Sequence, residues 1–101
     1  IAVDAAEKLE AEGIPTQVVS VPCFETFHKQ DDAYKANIYV DDAPAHVAIE
    51  AACKMGWEEF IGRKGKFVGM KGFGASGPAE ELYVHFGITV DATVKAVKDQ
   101  L

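Results

Sequence analysis

The sequence predicts an α/β fold: a three-layer α/β/α arrangement around a mostly parallel sheet. Three observations lead there. Short runs suited to strands recur at Thr16–Val21 (TQVVSV), His46–Ala51 (HVAIEA) and Lys66–Met70 (KFVGM). Helical spacing of apolar residues fills the flanks, over Ile1–Leu9 and again from Ala79 to Leu101. Strands that alternate with helices favour a parallel sheet with helices on both faces.

Each element follows from local chemistry. Ile1, Ala2, Ala5, Ala6 and Leu9 fall on one side of a helix, with Asp4, Glu7, Lys8 and Glu10 between them. Gly13 is placed to stop that helix. TQVVSV is rich in β-branched residues and ends at Pro22, which predicts a strand. Cys23 to Tyr39 is polar and weakly helical, and Asp41–Pro44 (DDAP) is a turn signal. In HVAIEA, helix propensity competes with position; its place before another loop and strand decides for a strand. Met55–Gly62 fits a short helix or an ordered loop, Arg63–Lys66 a turn, and KFVGM the next strand.

The C-terminal part predicts two helices. Pro78 suits the first helical position, with Gly77 as the cap and Glu80 in the acid-favouring first turn. Ala79, Leu82, Tyr83 and Phe86 form an apolar face, and Gly87 ends the helix. Thr89 caps the last helix, whose stripe is Val90, Val94, Val97 and Leu101.

With 101 residues the chain is read as a single domain, residues 1–101. Sixteen acids against ten bases give a net charge of −6, which argues against a nucleic-acid or anionic-membrane surface. No apolar run reaches the ~20 residues of a membrane-spanning helix. Cys23 and Cys53 are too few for a disulfide framework, and two reduced thiols in an intracellular protein is the expectation. The chain opens at Ile1 inside a helical pattern, without Met, and so reads as part of something longer.

Gly72, Gly74 and Gly77 match G-x-G-x-x-G, the spacing of dinucleotide-binding loops. The loop follows a strand and opens a helix, as that reading requires. A dinucleotide unit also continues into a second parallel strand ending in an acid about 20 residues on. Asp91 lies near that distance but in the first turn of the last helix, with no strand following. Tight turning and close helix–sheet packing therefore account for these glycines better than a cofactor.

Cys23 with His28, and His46 with Cys53, lack the spacing of a zinc site. Glu58–Glu59 and Glu80–Glu81 are sequence neighbours that point to different sides of a helix, so neither makes a carboxylate dyad. Trp57 and Phe60 fit core or interface anchors. No catalytic, cofactor-binding or metal-binding residue is assigned.

The sequence resembles the C-terminal domain of transketolases. Gly72–Thr89 (GFGASGPAEELYVHFGIT) is similar to the family's G-F-G-x-S-x-P-x-x-x-L-Y-x-x-F-G-x-T. Val18–Lys35 (VVSVPCFETFHKQDDAYK) is similar to its V-V-S strand followed by Pro, Phe, Gln and Tyr. HVAIEA, then Gly56–Trp57 and Phe60–Gly62, matches a third block. Gly77 stands where the family often has Ala.

The resemblance implies that His46–Ala51 is a strand. It also implies a first strand and a Gly-Ser-Glu turn before the first helix, which this chain lacks. It further implies a parent enzyme that moves a two-carbon ketol unit between sugar phosphates, using thiamine diphosphate and a divalent metal (Mg or Ca). In the family those groups are held by the upstream domains of a homodimer, and this domain serves packing and dimer assembly. The chain alone is then expected to be inactive and to bind neither group, and the parent to be cytoplasmic or plastid-borne. Related thiamine enzymes, dihydroxyacetone synthase and deoxyxylulose phosphate synthase, share the architecture, and the three blocks favour transketolase over the latter. A free-standing anion-binding module using Gly72–Gly77 is a reading of a different class.

Overall fold

A computed structural model describes all residues, 1–101. Six helices and two strands follow in the order α1 (Ala2–Ala11), α2 (Phe24–His28), α3 (Asp32–Ile38), β1 (Val47–Glu50), α4 (Glu58–Ile61), β2 (Lys66–Gly69), α5 (Ala79–His85) and α6 (Val90–Lys98). β1 and β2 pair in parallel, with Val47 opposite Lys66 and Glu50 opposite Gly69. The class is α/β, and the parallel sheet is small. The strand expected over His46–Ala51 forms at Val47–Glu50 despite its Ala and Glu content, paired in parallel with β2 and with Ala48 buried.

The core lies where α1 and α6 meet each other and where α6 crosses both strands. Ala5, Ala6 and Leu9 of α1 are buried, with Ala48, Val68, Ile61 and Ile88. Small alanines let the helices approach, and Leu9 fills the space between. Lys8 of α1 binds Asp91 of α6 at 2.9 Å, and Glu12 binds Lys98. Lys8 meets Asp91 near the start of α6 and Glu12 meets Lys98 near its end, so the two helices run in the same direction.

Helix ends obey the sequence. Gly13 adopts φ 80° just past α1. The Thr89 hydroxyl accepts the Ala92 N–H at 3.1 Å, and Asp31 accepts the Tyr34 N–H at 2.7 Å at the start of α3. Two details differ from expectation. Pro78, not Gly77, is the N-cap of α5, because its ψ of 132° keeps it outside the helix. On α6 the residue that is buried is Thr93, while Leu101 lies beyond the helix and is exposed. Thr93 tolerates burial because its hydroxyl donates to the Thr89 carbonyl at 2.8 Å.

The largest correction concerns Thr16–Val21. It forms no strand. No backbone N–H from Gln17 to Val21 donates a hydrogen bond, and no carbonyl of that run accepts one. β-branched composition favours extension but supplies no partner, and a strand exists only through its ladder.

The apolar face predicted on α5 is also weaker than expected. None of its residues is buried; Tyr83 is 40% exposed. Phe86 is half-buried and stacks edge-on against His85. α5 lies at the periphery of the domain.

Candidate functional site

The Gly72–Gly77 loop joins β2 to α5. None of its three glycines has positive φ. A Cβ on Gly72 or Gly74 would meet nothing within 4 Å, and one on Gly77 would make ordinary contact with Leu82 at 3.6 Å. The close helix–sheet packing expected of these glycines is therefore not what the fold asks of them. The steric demand falls instead on Gly65, where a Cβ would run into the Ile61 carbonyl oxygen, and on Gly69 at the end of β2. A Cβ there would stand 2.2 Å from the Phe67 ring and 2.6 Å from the Glu50 carbonyl oxygen. The signal for it was the Gly in KFVGM, at the point where two parallel backbones run side by side.

Cys23, His28 and His46 each take partners outside their sequence pair. Cys23 caps α2; its thiol accepts from the Thr26 hydroxyl at 3.1 Å and donates to Glu25 at 3.4 Å. The Glu25 carboxyl is held below the usual range by the local backbone N–H and by that thiol. His28 turns instead to Glu59 of α4, 2.8 Å away. His46 stacks on Tyr39, ring centroids 5.1 Å apart, and its Nε2 meets the Val40 carbonyl. Cys53 is exposed. Glu58 accepts the Gly56 N–H, so the adjacent acids Glu58 and Glu59 serve two different partners.

Trp57 and Phe60 belong to an aromatic cluster with Phe24 and Phe27. Phe24 meets Trp57 edge-on at 5.1 Å and Phe60 at 4.9 Å. The cluster fastens α2 to α4, and the His28–Glu59 contact closes it on the outside. Such edge-to-face pairs contribute about 0.5–1.5 kcal/mol each beyond burial. This is an anchoring role, as the spacing in the sequence indicated.

No three His, Cys, Asp or Glu side chains gather where they could hold a metal ion. A metal-bound diphosphate needs several oxygen ligands and basic partners in one cavity, and the residues of this chain do not fit that group.

Two concavities remain. A recess of about 370 Å³ lies at the C-terminal end of β1, between Ile1, Ile49, Ala51, Tyr83 and Ile88. A larger apolar groove of about 590 Å³ runs between β1 and the unpaired Gln17–Val21 segment. Ala5 and Leu9 of α1 and Val97 of α6 help to line it.

This fold, with its glycine loop between β2 and α5, defines a class: the transketolase-like TK C-terminal domain, whose family pattern matches residues 1–89. The chain belongs to the transketolase family. It is 57% identical over 95 residues to a transketolase of Sinorhizobium medicae, which covers 93% of this chain and 13% of that protein. It is 47% identical over 98 residues to the chloroplastic transketolase of Solanum tuberosum, covering 97% and 13%. The solved transketolase of Leishmania mexicana superposes with a TM-score of 0.85 at 42% identity, over 98% of this chain and 14% of that one. The chain thus spans about one seventh of the length of these relatives. No helix is long and apolar enough to cross a membrane.

Proposed function

We propose that the chain is the C-terminal domain of a transketolase that transfers a two-carbon ketol unit between sugar phosphates, and that the domain has a structural role. The observation that carries this reading is the family match over residues 1–89, on a chain about one seventh the length of its relatives. Thiamine diphosphate and a divalent metal, Mg or Ca, serve the parent enzyme and are held by upstream domains. The scattered polar side chains described above support that division of labour. The partners of this domain are those upstream domains and, through them, a second subunit of a homodimer. The parent works in the cytoplasm or, as the chloroplastic Solanum relative suggests, in a plastid.

A ketol-transfer assay on the full polypeptide and on residues 1–101 tests this reading. With thiamine diphosphate, magnesium and a pair of sugar phosphates supplied, the full polypeptide turns over and residues 1–101 do not. Turnover by residues 1–101 alone would overturn the structural role. Failure of the full polypeptide with sugar phosphates, but success with formaldehyde as acceptor, would favour a dihydroxyacetone synthase.

A further inference from the structure

We infer that Cys23–Tyr39, the stretch carrying α2 and α3, is a flap that opens as one unit from a latch on α4 while the rest of the fold stays closed.

The stretch stands apart from the core. The main contacts between elements join α1 to α6, the two strands to each other and to α6, and α4 to β1. α2 and α3 take part in none of them, and neither contains a buried residue. No backbone hydrogen bond joins Cys23–Tyr39 to the rest of the chain. Each one made there ends within the stretch, as the Lys35 N–H does on the Asp31 carbonyl. Two side-chain hydrogen bonds leave it, and both end on α4. His28 meets Glu59 at 2.8 Å, and the Tyr39 hydroxyl donates to the Phe60 carbonyl at 2.5 Å.

The ring contacts converge on the same place. Phe60 meets Phe24 at 4.9 Å and Phe27 at 5.5 Å. Trp57, just before α4, meets Phe24 at 5.1 Å. At the exit of the stretch Tyr39 stacks on His46. Phe60 is thus the latch: its ring holds α2 and its carbonyl holds the end of α3.

α2 and α3 are also bound to each other. Lys35 of α3 donates to the His28 carbonyl at 3.0 Å, and its ammonium lies 5.9 Å from the centre of the Phe27 ring. Loss of either hold therefore loosens both helices. The buried residues Ala5, Leu9, Ala48, Val68 and Ile88 all lie outside the stretch, so opening leaves the core in place. A region with so few buried contacts opens below the free energy of global unfolding, and it does so cooperatively where its parts brace one another.

Amide hydrogen exchange on the full polypeptide, followed by mass spectrometry at low urea, tests this. In the unaltered protein the amides of α2 and α3 share one protection factor. It is about ten-fold or more below that of α1, α6 and β2, and it depends less on urea because less surface is exposed. Tyr39→Phe removes a bond made at the end of α3, yet it speeds the α2 and α3 amides by the same factor, about five-fold. Phe60→Leu removes ring contacts made to α2, yet it speeds the α3 amides as much as those of α2. Unequal protection of α2 and α3 in the unaltered protein would overturn the inference, as would a variant that speeds only the helix it touches. So would α2 and α3 amides as slow and as urea-dependent as those of α1 and α6.

Discussion

The Tyr39 hydroxyl donates to the Phe60 carbonyl oxygen at 2.5 Å, joining the end of α3 to the last turn of α4 across 21 positions of sequence. The Phe60 carbonyl belongs to the orphan acceptors at the end of a helix, and Tyr39 is the group that satisfies it. Desolvation by burial, with the nearby Asp41 charge second, raises the Tyr39 pKa above its ordinary value. The contact thus persists through neutral pH with the hydroxyl as donor.

Tyr39→Phe keeps the ring that stacks on His46 and removes only this bond. The expected cost is about 1 kcal/mol, the net worth of one hydrogen bond. In a domain of this size that lowers the melting temperature by about 4–8 °C. Thermal melts of the two forms check it; an unchanged midpoint would mean that water serves the carbonyl equally well.

Gly69→Ala is expected to destabilise by about 1–3 kcal/mol, because the new methyl must displace both the Phe67 ring and the β1 backbone at Glu50. Gly74→Ala, with open space around it, should change the urea midpoint little. Equal midpoint shifts for the two would refute this ordering of the glycines.

The Lys8–Asp91 pair sets the pH behaviour of the α1–α6 contact. Its hydrogen bond, and then its charge, lower the Asp91 pKa below the ordinary 3.8 and raise that of Lys8 above 10.5. A lowered carboxyl contributes stability that is present above its unfolded pKa and lost as pH falls through the folded one. A raised amine contributes below its unfolded pKa and loses its share as pH rises through the folded one. Both side chains are exposed, so the effect is small. Asp91→Asn should therefore flatten the fall in stability below about pH 4 and above about pH 10.5, and leave the midpoint's slope between those limits unchanged. Denaturation midpoints across pH for both forms provide the measurement.

Calorimetric titration of residues 1–101 with NAD or NADP should give no saturable heat. Binding tighter than ~100 μM, about −5.5 kcal/mol, would reinstate the G-x-G-x-x-G reading of Gly72–Gly77.

Much of this architecture is legible in the sequence because it is local. The alanines and Leu9 announce α1, Thr89 announces α6, and KFVGM announces β2. The Trp57–Phe60 anchor could be read from spacing, although its partners Phe24 and Phe27 could not, since they come from a distant helix. The glycines divide by the same logic. A spacing motif drew attention to Gly72, Gly74 and Gly77, whereas Gly69 is constrained by a neighbouring strand that sequence does not display. TQVVSV shows the limit most clearly. Its composition states a preference for extension, but its identity as a strand depends on a partner, and none stands beside it in this chain. No catalytic residue is assigned from the sequence, and the family is readable only through the three blocks.

The shared direction of α1 and α6 bears on how this domain can be rewired. With Lys8 level with Asp91, Ile1 lies seven residues toward one end of the helix pair and Leu101 ten residues toward the other. At 1.5 Å per residue the two ends stand about 25 Å apart along the helix axes. Joining them would take about eight fully extended residues, and more if the linker is flexible. A head-to-tail ring or circular permutant with a two- or three-residue joint would have to fray one of the two helices. A tag on Leu101, by contrast, projects from the opposite end of the molecule to Ile1 and the recess beside β1.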